Sequence, residues 1–219
     1  MALEITIDEW QSKKIATQIF FNSQPVSYEQ IPIGKANLHF IQGFDKNLAA
    51  IHVFDTDKKL LDWVKKQKGP EAFLKNHNAL NHLRSYADRN KFPEIVDFKD
   101  IKYSQFLSYQ ESYLKSEGLL VPNSPKIEPG AQILGTIDIG WYYDNSTYSG
   151  KTMIASRFNP ILTYMDKCIS SYMVIGLIPR AFCTKFFYRG DCYWSWPVAN
   201  VFKQSFGGLW INNQSRSIF

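Results

Sequence analysis

The sequence predicts an α+β fold: a mixed helical and hairpin N-terminal half and an antiparallel, β-rich, aromatic C-terminal half. Three observations carry this. Residues 1–130 hold 17 Lys/Arg against 16 Asp/Glu and all four histidines, whereas residues 131–219 hold 8 Lys/Arg against 4 Asp and all three cysteines. That second, charge-poor half carries 18 of the 34 aromatic residues, as a packed β region would. Between the two lies Val121–Gly130, with Pro122, Pro125, Pro129 and Gly130, a density of breakers that ends regular structure. The reading is a mixed α/β charged region over 1–120, a linker over 121–130 and a β-rich aromatic region over 131–219, as two units or within one fold.

Taken in order, Asp8 as a cap with Trp10, Ile15 and Ile19 at near-helical spacing predicts a helix over 8–21, the alternative being a strand through Ile15–Phe21. Residues 37–43 and 48–54 alternate apolar and polar around the turn Phe44–Asn47, which predicts a hairpin. Leu38, Phe40, Ile51 and Val53 share one face, and His39 and His52 share the other, where they could be cross-strand neighbours. A helix starts near Asp57 on the stripe Leu60, Leu61, Val64 and stops at Gly69-Pro70, where Pro70 opens the next helix. That helix carries Phe73, Leu74, Leu80, Leu83 and Tyr86 and runs to about Arg89. A third spans 98–117 and ends at Gly118. Beyond the linker, 133–143 and 151–158 read as a strand pair and 171–177 as a buried strand. Residues 181–188 and 192–196 read as a hairpin about Arg189-Gly190-Asp191.

The bulk properties narrow the class. A chain of 219 residues that is 45% hydrophobic buries roughly 70% of its unfolded surface, enough for a core without a metal or disulfide staple. Net charge is +5, mostly from the shortage of acids in the second half, which permits an acidic partner without demanding one. Three cysteines, Cys168, Cys183 and Cys192, are an odd and low count. They predict reduced thiols in a cytoplasmic setting, a single Cys183–Cys192 bridge being the alternative. The first ten residues read as no signal peptide, and the most apolar run, 172–178, is too short to span a bilayer. We expect a cytoplasmic chain with no membrane insertion.

Several constellations could carry chemistry. Asp55-Thr56-Asp57 follows an apolar strand, and two carboxylates at a strand end can hold a hard cation such as Mg²⁺. The plain alternative is a strand end and a helix cap. Asp97-Phe98-Lys99 places an acid and a lysine where a metal-dependent nuclease would hold Mg²⁺ and orient its attacking water, or simply marks a loop. His77 and His82 are five apart, off register for one helical metal site, and read as a solvated or partly buried pair. Ser149-Gly150-Lys151-Thr152 lacks the glycine, five residues before Gly150, that a phosphate loop needs. Lys58, Lys59, Lys65, Lys66, Lys68, Lys75 and Arg84 form the densest basic surface, fit for a phosphate backbone or for solvent, with Asp62 and Glu71 among them. Finally, Tyr188, Arg189, Trp194 and Trp196 sit in an aromatic hairpin that is either a partner-binding surface or core.

No catalytic signature stands out. The expected function is therefore a non-enzymatic binding or assembly protein. Its basic helical face would meet nucleic acid, or else an acidic protein, and its aromatic half would support a homo-oligomer. The alternative is a Mg²⁺-dependent phosphodiester hydrolase using Asp55/Asp57 or Asp97/Lys99. A third is an adaptor or inhibitor that binds a protein through the Trp194/Trp196 strand.

Overall fold

The structure, a computed structural model, describes residues 18–33, 37–45, 48–93, 101–120, 139–144, 148–155, 158, 162, 167–169, 171–175, 179–195, 201–205 and 215–219. Both helices and strands are present, in three layers. The middle layer is a seven-stranded mixed sheet built from β1 (Gln18–Phe21), β2 (Gln24–Pro25), β3 (His39–Asp45), β4 (Leu48–Phe54), β8 (Arg180–Cys183), β9 (Cys192–Ser195) and β11 (Ser217–Ile218). Its order is β11-β8-β9-β3-β4-β1-β2. A second sheet holds β5 (Ile139–Tyr143), β6 (Thr152–Ala155), β7 (Ser171–Ile175) and β10 (Val201–Ser205), in the order β10-β7-β5-β6. The helices α1 (Asp57–Val64), α2 (Glu71–Arg89) and α3 (Ile101–Ser116) make the third layer.

Period-two alternation divides the core in two. Ile41, Phe54, Ala181, Cys183, Cys192 and Trp194 face the helices and pack with Leu60, Phe73, Leu80, Leu83 and Phe106. Phe40, Val53, Phe182, Tyr193 and Ile218 face the second sheet and pack with Tyr142 and Tyr172. Strands from either side of residues 121–130 thus share one sheet, since β3 pairs in parallel with β9 (His39 opposite Cys192, Ile41 opposite Trp194). Residues 121–130 themselves lie outside the described residues.

The predicted hairpins are present: β3 with β4, β5 with β6 and β8 with β9 are antiparallel pairs. The helix expected over 8–21 is overturned for Gln18–Phe21, which pairs in parallel with β4 and turns through Asn22 and Ser23, both at positive φ (50° and 70°). Two left-handed residues are what a two-residue hairpin turn needs. The expectation of three reduced thiols is also overturned. Cys183 and Cys192 stand directly opposite each other on β8 and β9, with Cα atoms 4.2 Å apart, and form a disulfide; Cys168 takes no part in a disulfide. Among the described residues no helix is long and apolar enough to cross a membrane.

Candidate functional site

Three side chains from three elements converge at the C-terminal end of β4. His39 starts β3, Asp57 is the first residue of α1, and His77 lies one turn into α2 from Phe73. The Thr56 hydroxyl caps α1 by accepting from the Lys59 backbone N–H, which fixes the position of Asp57 beside it. His77 falls on the buried stripe Phe73, His77, Leu80, Leu83, Ala87, so the 3.6-residue period turns it inward. The result is a cluster in which His39 Nε2 lies 2.8 Å and His77 Nε2 3.0 Å from the same oxygen, Asp57 Oδ1. Asn81 Nδ2 donates to the other oxygen, Oδ2, at 3.1 Å. The histidine side chains are 3% and 0% exposed, while that of Asp57 is 46% exposed, so solvent reaches the cluster through the carboxylate.

The electrostatics follow from this geometry. Hydrogen bonds from His39 and then His77 hold the Asp57 carboxyl well below the usual carboxylate range. Burial pushes His39 below its ordinary value, only partly offset by its hydrogen bond to Asp57. Trp194 Nε1 donates toward His39 Nδ1 at 3.5 Å, and Asn81 Nδ2 approaches His77 Nδ1 at 3.4 Å. Indole N–H is a donor only, so this arrangement sets His39 as the Nε2–H tautomer that donates to Asp57. Among the described residues His39, Asp57 and His77 are the group with the composition and spacing to hold a metal ion.

The basic face lies along the outer side of α1 and beyond it. Lys58, Lys59, Lys65, Lys66, Lys68 and Lys75 are all exposed. Lys59, Asp62, Trp63 and Lys66 follow the i, i+3, i+4, i+7 stripe and, with Asn22, Ser23 and Phe54, line a pocket of about 220 Å³. Trp63 is braced there by His52 (ring centroids 4.5 Å apart) and Phe54 (5.8 Å).

Other residues singled out in the sequence land elsewhere. Asp55 accepts from Lys59 Nζ (2.9 Å) and Asn22 Nδ2 (3.0 Å), so it and Asp57 have separate partners. Asp97 and Lys99 lie outside the described residues. Arg84 does not belong to the basic surface. It points inward from α2, donating from Nε to the Tyr188 carbonyl (2.7 Å) and from Nη2 to Cys192 Sγ (3.1 Å). Trp194 is wholly buried because β9 is a central strand covered by the helices, and Tyr188, in the β8–β9 loop, is wholly buried against Phe106 and Phe219, so neither offers a surface to a partner. Arg189 donates to the Phe92 carbonyl and pairs with Asp88 (3.0 Å), a brace between the β8–β9 loop and the end of α2. Trp196 lies outside the described residues.

The two histidine pairs seen in the sequence are regrouped. The register sets His39 opposite Phe54 and His52 opposite Ile41. His52 then stacks on Phe20 and meets Trp63 at a tilt while His39 turns to Asp57. His82 bonds the Tyr109 hydroxyl at 2.6 Å and stacks on Tyr113. Sequence reading missed the His39–Asp57–His77 group because it treated His77 and His82 as a pair. The signal was present: His77 is four residues after Phe73 and three before Leu80, on the apolar stripe.

No protein-family model matches the chain, and no curated protein matches it. Among solved structures, the crystal structure of a betagamma-crystallin from an Archaea is similar at 21% identity, covering 36% of this chain and 93% of that one, with a TM-score of 0.31. A likeness at that score supports no inference about fold or activity.

Proposed function

We propose that this chain is a binding protein that takes an acidic, base-bearing ligand, single-stranded nucleic acid, along α1. One observation carries the reading: the pocket on α1 sets an aromatic ring, Trp63, between two lysines, Lys59 and Lys66. Nucleic-acid single strands are held by this combination, with bases stacked on aromatic rings and phosphates met by cations. The exposed Lys58, Lys65 and Lys68 extend the cationic track. Asn22 and Ser23 add hydrogen-bonding groups at the rim.

Fluorescence anisotropy with a labelled single-stranded oligonucleotide tests this. The affinity should fall steeply with salt as counterions compete for the phosphates. Lys65→Glu/Lys66→Glu/Lys68→Glu should abolish binding. Trp63→Leu should weaken it by about 1–3 kcal/mol, the range for losing one stacked base. Absent or salt-insensitive binding would sink the reading.

A further inference from the structure

We infer that His39, Asp57 and His77 form a binding site for a divalent transition-metal ion of the Zn²⁺ class, with one coordination position open to solvent. This goes beyond the acidic-ligand reading and does not depend on it.

The geometry is close to what an ion requires. A tetrahedral ion with bonds of about 2.0–2.1 Å sets its ligand atoms roughly 3.3 Å apart. Here two imidazole nitrogens stand 2.8 and 3.0 Å from one carboxylate oxygen, a few tenths of an ångström short of that separation, and all three donor atoms lie within 4.8 Å of one another. They come from a strand, a helix start and a second helix, each fixed by the core, so the site is assembled before any ion arrives. The bond from Asn81 occupies Asp57 Oδ2 and leaves Oδ1 turned to the histidines, as a one-oxygen ligand needs.

The donor set chooses the metal. Two imidazoles and one carboxylate suit Zn²⁺ and its first-row neighbours, whereas Mg²⁺ takes oxygen ligands in a near-ideal octahedron. The Mg²⁺ offered as the alternative reading of Asp55 and Asp57 therefore fits this donor set poorly. Three protein ligands with a half-exposed carboxylate leave the fourth position for water, the pattern of sites that present an ion to a ligand.

Binding requires a tautomer change. In the metal-free chain each ring donates Nε2–H to Asp57; with an ion on Nε2, the ring's single proton moves to Nδ1. Both Nδ1 contacts are long, 3.5 Å to Trp194 and 3.4 Å to Asn81, so the Nδ1 side opposes this change only weakly once an ion replaces the Nε2–H bonds to Asp57. At His39 the new Nδ1–H would meet the indole N–H, and Trp194 must turn slightly away. Trp194 fluorescence becomes a reporter of loading.

The test is titration of the full, EDTA-treated chain with Co²⁺, followed by visible absorption, and with Zn²⁺ and Mg²⁺, followed by calorimetry. The expected result is one Co²⁺ per chain with a ligand-field spectrum of nitrogen and oxygen donors, displaced by Zn²⁺ and not by Mg²⁺. Asp57→Asn should weaken Zn²⁺ binding at least tenfold with the far-ultraviolet circular dichroism retained, while His82→Gln should bind like the native chain. No Co²⁺ spectrum from the native chain would overturn the inference without appeal to any variant. Equal affinity in Asp57→Asn, or Mg²⁺ competing on equal terms, would overturn it as well.

Discussion

A methyl group at residue 190 would have nowhere to go. Gly190 sits at φ +74°, and a Cβ there would come within 2.4 Å of the Thr184 hydroxyl. The turn it permits lets Asp191 Oδ1 accept the Leu38 backbone N–H at 2.9 Å, across 153 positions of sequence. Gly190→Ala should therefore destabilise the fold by about 1–3 kcal/mol, the cost of a strained left-handed residue with a displaced neighbour, measurable by urea denaturation. At this scale the chain was partly legible. Arg189-Gly190-Asp191 reads as a turn, because a glycine between polar residues has a local cause. The bond from Leu38 to Asp191 has no local signal. Arg84 is instructive in another way. It reads as one more cation beside the lysines, yet it lies four residues after Leu80 and three before Ala87, on the buried side of α2. Position on the stripe outweighs residue type.

The elements were more legible than their partners. The hairpins and the first two helices stand close to where alternation, Gly69-Pro70 and the apolar stripes put them, since these are local signals. The strand at Gln18–Phe21 was misread because Ile15 and Ile19 have helical spacing, and its pairing with β4 is a tertiary contact that spacing does not report. The β8–β9 hairpin was placed correctly, but its bridge was not favoured, because cysteine counts say nothing of register. With Cys183 and Cys192 nine residues apart, the chain-entropy model gives the crosslink about 2–3 kcal/mol. Cys183→Ala/Cys192→Ala should lower unfolding stability by that much in guanidinium titration. Without reductant, the denatured native chain should expose one thiol to Ellman's reagent, that of Cys168. The bridge also removes the thiol argument for a cytoplasmic setting.

Over the whole molecule, acid should loosen the layers that the His39–Asp57–His77 group ties together. Unfolded, His39 titrates near 6.5; folded, it does so lower, because it is buried. Between those values the unfolded chain binds a proton that the folded chain does not, so stability falls as pH drops below about 6.5. Asp57, held low by His39 and His77, adds stability that is present above about 3.9 and is lost as pH falls further. The thermal midpoint should decline between pH 7 and pH 5 and more steeply below pH 4, and Asp57→Asn should flatten the lower limb. A midpoint constant from pH 7 to pH 4 would contradict this.

The parallel pairing of β3 with β9 has a consequence for how the chain reaches this state. Closing it joins residues about 150 apart, a loop that must be ordered before the contact repays it. During synthesis β3 emerges and pairs with β4, but its other edge waits for residues 192–194. Through that interval an apolar strand has one row of amides and carbonyls uncovered, the template for pairing with a neighbouring chain. Fragments cut near residue 120 should aggregate for this reason, and refolding yield should fall with protein concentration.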